Sequence, residues 1–126
     1  QLSEYSDREK YKTSRFYNED GDIVFEAQYI DNQLNGEVNL YNIEQHLWER
    51  KYYEKGRKNG KSFSYYDKKR EKICVEAHYQ QDVLEGSYQE FDKTGKLKLK
   101  GQYQKGKKVG KWYFYDEKNK ETIKVF

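Results

Sequence analysis

Several things are missing from this chain of 126 residues. It has no proline, no methionine and one cysteine, Cys74. A single cysteine excludes an internal disulfide and leaves the redox compartment open. Disordered linkers are usually rich in proline, so its absence argues for a fold. No apolar run approaches the length of a membrane-spanning helix. No signal peptide stands at the start. The chain opens "QLSEYSDREK" without Met, and a removed export signal and a shortened chain look the same there. The compartment is cytoplasmic for an immunity protein, and exported or periplasmic if a signal preceded Gln1. Arginine also runs out, with none after Arg70.

What is present is charge and aromatic rings. Charged residues make up 37% and the mean hydropathy is −1.37, values that alone would suggest disorder. Aromatics reach 17%, with 14 Tyr, 6 Phe and 2 Trp, so the expectation is a folded single domain over 1–126 with a thin core of rings and aliphatic stems. The net charge of +3 is unevenly spread: residues 1–92 hold 14 Lys/Arg against 19 Asp/Glu, and residues 93–126 hold 11 Lys against 3 acids. Such asymmetry steers partners or favours head-to-tail contacts.

The chain repeats itself. "YIDNQLNGEVNLY" (29–41), "YEKGRKNGKSFSY" (53–65), "YQQDVLEGSYQEF" (79–91) and "YQKGKKVGKWYFY" (103–115) each place Gly seven residues after Tyr and an aromatic five later. The glycines, Gly36, Gly60, Gly86 and Gly110, are spaced 24, 26 and 24 apart. Ile23, Leu47, Ile73, Leu97 and Ile123 form a second register. Units start near 29, 53, 79 and 103. Residues 1–28 read as a degenerate cap, with Tyr11 where Gly should stand.

Within each unit the period is two. Ile23, Phe25, Ala27 and Tyr29 share one face of a strand, and Ile73, Val75, Ala77 and Tyr79 do the same. Residues 47–53 break the rule by placing Glu49 and Lys51 on that face, which suggests a looser unit or one paired to a partner. Turn residues such as "NEDGD", "DKKRE", "DKTGK" and "DEKNK" separate the strands. The expected fold is all-β: an elongated, twisted, open antiparallel meander of about five tandem β-hairpins. Ladders of Tyr29, Tyr53, Tyr79 and Tyr103, and of Tyr41, Tyr65, Phe91 and Tyr115, are expected to form the core.

The pattern Y-x-x-G-x-x-x-G-K-x-x-x-Y, plainest at 53–65 and 103–115, resembles the bacterial variant of the MORN repeat. The first Gly is Gly56 and Gly106 in two units and Asn32 and Asp82 in the others. The resemblance implies twisted open β-arrays that act as scaffolds or binding surfaces. Many bacterial members of that family are exported or lipid-anchored, and one large group is labelled antitoxin.

Candidates for chemistry are few. Cys74, Glu76 and His78 lie on one face of a strand, but the ends of such a set are about 13 Å apart, too far for one metal or a Cys–His pair. Glycine loops that bind phosphate precede a helix, whereas strands follow Gly60 and Gly110. No carboxylate pair recurs as an acid and base. The expectation is therefore a non-enzymatic protein with no metal or cofactor. Lys96, Lys98, Lys100, Lys105, Lys107, Lys108 and Lys111 lie near Trp112, Tyr113 and Phe114, a mixture that suits single-stranded nucleic acid or an anionic membrane surface. Nucleic acid is disfavoured, because the same rings are structural in sister units.

The leading expectation is a protein-binding module, in its sharper form an antitoxin or immunity protein that neutralises a bacterial toxin. The alternative is an exported cell-envelope protein with a structural, glycan-binding or lipid-surface role. Contact candidates are Trp48, Arg50 and Tyr52 on one face, with Lys98, Lys100, Trp112 and Phe114 further along. Exposed sheet edges also offer a route to homo-oligomers.

Overall fold

A computed structural model describes residues 10–126. The start of the expected cap, residues 1–9, lies outside them. The described residues form strands β1 (Tyr11–Tyr17), β2 (Ile23–Ile30), β3 (Gln33–Leu34), β4 (Gly36–Asn42), β5 (Leu47–Glu54), β6 (Arg57–Tyr65), β7 (Ile73–Gln80), β8 (Val83–Leu84), β9 (Gly86–Phe91), β10 (Leu97–Gln104), β11 (Lys107–Tyr115) and β12 (Glu121–Val125), with no helix among them. All belong to one antiparallel sheet. Ten strands follow one another in chain order, while β3 and β8 are short extensions paired to β2 and β7. β1 and β12 lie at opposite edges and do not pair, so the sheet stays open.

Two kinds of connection alternate. At one end of the strands, two-residue turns join the repeats at Asp31-Asn32, Lys55-Gly56, Gln81-Asp82 and Lys105-Gly106, and all eight residues have positive φ. That is the mirror-image turn whose twist matches a right-handed hairpin. The second position is Asn, Gly, Asp and Gly, the residue types that tolerate φ of 66–82° at least cost. This explains why the first glycine of the repeat is interchangeable with Asn32 and Asp82. Each turn also reaches back to the preceding unit. Gly56 N donates to Leu34 O, Asp82 N to Lys58 O and Gly106 N to Leu84 O, each at 2.9 Å.

At the other end, an Asn or Asp opens every connection and holds it with its own carbonyl or carboxylate. Asn18 Oδ1 accepts from Asp20 N and Asp22 N, and Asn42 Oδ1 from Glu44 N and Gln45 N. Asp67 Oδ1 accepts from Glu71 N and Lys72 N, Asp92 Oδ1 from Thr94 N and Lys96 N, and Asp116 Oδ1 from Lys118 N and Lys120 N. These are side-chain substitutes for a backbone turn. Four of the connections hold four or five residues, but that between Tyr65 and Ile73 holds seven. The one spacing of 26 in the repeat falls on this longer loop.

The pairing register sorts every side chain onto one of two faces. Phe16, Phe25, Leu40, Glu49, Ser64, Val75, Glu90, Leu99, Phe114 and Thr122 oppose one another in an unbroken row across ten strands. This is the front face. Arg15, Glu26, Asn39, Arg50, Phe63, Glu76, Gln89, Lys100, Tyr113 and Ile123 form the corresponding row of the back face.

The tyrosine ladders do not make the core as expected. Three of the front-face tyrosines stand opposite a glycine of the previous unit, as Gly36–Tyr53, Gly60–Tyr79 and Gly86–Tyr103, and these three and Tyr29 are half-buried. The second ladder points to the back face, where Tyr65 alone is buried, at 5% exposure. The core is instead Ala27, Val38, Ala77 and Trp112, with Ser62 and Glu49. In a single sheet, small residues are covered most completely by larger neighbours on the same face. Trp112 lies against Gly101, where an added Cβ would come within 2.1 Å of the indole. Tyr88, Tyr103 and Phe126 surround the indole at ring distances of 5.9, 5.1 and 6.1 Å, and its Nε1 donates to Gln102 O at 3.2 Å.

Three further expectations change. Glu49 and Lys51 do lie on the front face, but the unit is not loose there. Glu49 is 5% exposed, with Lys51 Nζ 3.1 Å from its Oε1 and Asn42 Nδ2 3.3 Å from its Oε2. Lys12, not Tyr11, opposes Tyr29 at the place later units give to glycine, and its ammonium sits over that ring. Ile123 does not continue the Ile/Leu register. It pairs with Tyr113 on the back face, and Phe126 exchanges both backbone hydrogen bonds with Gly110, filling the slot of a repeated tyrosine.

Two outcomes follow from this packing. Gly101→Ala will destabilise the sheet by at least about 1–3 kcal/mol through overpacking against Trp112, read as a lowered denaturant midpoint. Asp67 and Asp92 titrate below the ordinary aspartate range. Hydrogen bonding from the Lys72 backbone leads the shift at Asp67, and from the Thr94 side chain at Asp92. A depressed folded pKa adds stability that is complete above the unfolded value, about 3.9, and is lost as pH falls below it. Carboxyl-carbon NMR titration will place both below a reference aspartate, and the acid arm of the stability profile will shrink in Asp67→Asn.

Candidate functional site

The back face of β4, β5 and β6 gathers rings and arginines into one cluster. Along β5, Trp48, Arg50 and Tyr52 point the same way because alternate residues of a strand share a face. Register brings Tyr41 opposite Trp48, Asn39 opposite Arg50 and Glu37 opposite Tyr52 on one side, with Tyr65 and Phe63 opposite Trp48 and Arg50 on the other. Trp48 packs on Tyr41 at 4.6 Å between ring centroids, and Phe63 on Tyr65 at 6.0 Å. The Tyr41 hydroxyl lies 3.1 Å from His46 Nδ1.

Polar groups fix this surface from one side. Arg50 Nε donates to Asn39 Oδ1 at 3.1 Å and is 3.7 Å from Glu37 Oε1. Asn39 Nδ2 donates to Glu37 Oε2 at 2.9 Å, and the Tyr52 hydroxyl donates to Glu37 Oε1 at 3.1 Å. Glu37 is therefore the hub that holds Asn39, Arg50 and Tyr52 in register. Burial raises the Tyr52 phenol above its ordinary pKa, and the hydrogen bond and charge of Glu37 add to this.

Arg70 enters from the long loop between β6 and β7. Its backbone is left-handed, at φ 59, and its guanidinium sits 5.6 Å from the Trp48 ring while that of Arg50 sits 5.9 Å from the Tyr65 ring. Both are within cation–π range. Arg70 Nη1 donates to Lys68 O at 3.3 Å, and its Nε is buried without an acceptor among the described residues. Burial, followed by the charge of Arg50, lowers the Arg70 pKa. Nearby, Arg15 is ion-paired to Glu26.

The remaining sequence candidates are dispersed. Lys100 lies on the back face in the row of Arg50, with its ammonium 5.2 Å from the Tyr113 ring. Lys98 is exposed and borders an open cleft of about 800 Å³ between the β9–β10 and β11–β12 connections. Phe114 and Trp112 are on the front face, and Trp112, at 1% exposure, offers no surface to a partner. The Tyr66 hydroxyl, whose pKa is raised first by burial and then by Cys74, donates to Phe91 O at 2.6 Å. Among the described residues, no group of three His, Cys, Asp or Glu side chains is placed to hold a metal ion.

Reading the sequence for breaks in the repeat found Trp48, Arg50 and Tyr52 but missed Tyr65 and Arg70. The signal for Arg70 was present. Gly21, Gly95 and Asn119 fill the corresponding left-handed slot of other connections, and an arginine there, in the loop with two extra residues, is an anomaly. The chain matches no protein-family model and no curated protein.

Glu37→Gln will bring the Tyr52 phenol part of the way back toward an ordinary tyrosine, because the contribution of burial remains. Spectrophotometric titration compared with Tyr52→Phe reads this shift.

Proposed function

We propose that the protein is a non-enzymatic binding module of the MORN-variant type. Its contact face is the Trp48–Arg50–Tyr52–Arg70 surface on the back of the sheet, with the buried Tyr65 ring beneath it. The observation that carries this reading is the concentration of ring and guanidinium groups at one place on a single-layer sheet. Trp, Tyr and Arg are the residue types that dominate binding energy at protein interfaces: the rings bring large contact areas with few rotors to freeze, and the guanidinium brings a planar fork of hydrogen-bond donors. A strand-built surface tied together by Glu37 is also pre-organised, which reduces the entropy lost on association. Repeat sheets of this kind present extended surfaces rather than deep catalytic clefts.

The sharper form of the proposal is an antitoxin or immunity protein, which binds a toxin and blocks it. Its support is the resemblance of the 53–65 and 103–115 units to a family with an antitoxin group. The test is co-expression with the product of the neighbouring gene, scored for rescue of growth and for co-purification. Trp48→Ala and Arg50→Ala are expected to weaken the complex by at least about 2 kcal/mol each, roughly thirtyfold in Kd, with circular dichroism unchanged. Variants that keep full affinity would remove this face from the interface, and a neighbouring product that neither associates nor harms growth would remove the antitoxin reading.

A further inference from the structure

Both arginines of the contact face are used at one end only. Arg50 is anchored through Nε by Asn39 and Glu37. Arg70 spends one Nη donor on Lys68 O and has its Nε buried. A guanidinium carries five N–H donors in a planar fork, so terminal donors of both groups remain unengaged by any hydrogen bond among the described residues. The two guanidinia lie over Trp48 and Tyr65, which oppose each other directly on β5 and β6. Burial and, after it, the charge of Arg50 lower the Arg70 pKa, so the two guanidinia feel each other. Two like charges held over neighbouring rings and partly withdrawn from water form a receptor for an anion, which would relieve their repulsion and accept their free N–H groups.

The surroundings select the kind of anion. Glu37 and Glu26 face the same arginines, and they repel a doubly charged phosphate about twice as strongly as a singly charged carboxylate. The aromatic floor favours a group carried on an apolar stem. Lys100 lies in the same back-face row as Arg50, four strands away, or ~19 Å at ordinary strand spacing. We infer that the protein partner presents an acidic segment to this face: a glutamate or aspartate carboxylate held between Arg50 and Arg70 above Trp48 and Tyr65, with a further acidic group falling over Lys98 and Lys100. This deepens the contact-face reading and rests on it.

The experiment uses the whole chain with ¹⁵N-labelled arginine, titrated with a hexaglutamate peptide, with hexaglutamine as the uncharged control. Expected is a saturable movement of the Arg50 and Arg70 Nε–Hε signals with hexaglutamate alone. Arg70→Gln is expected to weaken binding roughly tenfold, the effect of one lost charge-assisted hydrogen bond. Its backbone should tolerate the change, since Gln81 already adopts φ 51. Lys98→Gln with Lys100→Gln is expected to reduce the salt dependence and the association rate more than the lifetime of the complex. Equal shifts with hexaglutamine, no saturation, or tighter engagement of the same signals by oligothymidylate would overturn the inference. A Trp48-dependent protein complex whose affinity is unchanged in Arg70→Gln would overturn it too, while leaving the contact face standing. Loss of the Trp48 dependence would instead remove the contact face itself.

Discussion

Cross-strand hydrogen bonding that keeps a row of residues in step across ten strands, despite register shifts elsewhere in five of the pairings, is the constraint on which this molecule depends. A single sheet has no second layer to decide which side chains are inside. The pairing itself decides, because moving one strand by one residue would turn all its side chains to the other face. Here the register runs from Arg15 to Ile123 along one row and from Phe16 to Thr122 along another. The turns hold it at both ends of the strands. Left-handed pairs such as Lys55-Gly56 set the twist, and the side chains of Asn18, Asn42, Asp67, Asp92 and Asp116 close the opposite connections.

That constraint leaves little depth for a core. Burial is greatest where a small residue lies beneath larger neighbours, as at Ala27 and Ala77, or where a large ring meets a glycine, as Trp112 meets Gly101. The same economy explains the ion pair between the buried Glu49 and the half-buried Lys51. Their charges lie on one strand, and Asn42 supplies a further donor. It also explains why lysine ammonium groups repeatedly lie over front-face rings, at Lys12–Tyr29, Lys58–Tyr79 and Lys108–Phe126. Their stems cover apolar surface while the charged heads stay near water.

The architecture was legible because it is written in periods. The 24-residue recurrence, the two-residue alternation and the turn residues all describe one module, and the open meander follows from stacking it. The choice of core was less legible. Tyr29 and Tyr65 look alike in the repeat, but they face opposite sides, and only register settles which is covered. Trp112 looks like a contact residue until Gly101 is placed across from it. Phe126 takes over the slot of a repeated tyrosine, which the Ile/Leu register ending at Ile123 did not reveal. At the contact face, Trp48, Arg50 and Tyr52 could be grouped because alternation along one strand groups them. Arg70 is carried in from a loop, and no strand periodicity reports where a loop side chain lands.

The order of strands in space copies their order in the chain, which bears on how the protein is made. Nearly every contact joins segments emerging within seconds of each other during synthesis. A hairpin can zip as soon as its second strand clears the ribosome, and it then templates the next. The advancing border of the growing sheet is therefore always the most recently made strand, and each new ribbon covers the row of amide and carbonyl groups that this strand exposed.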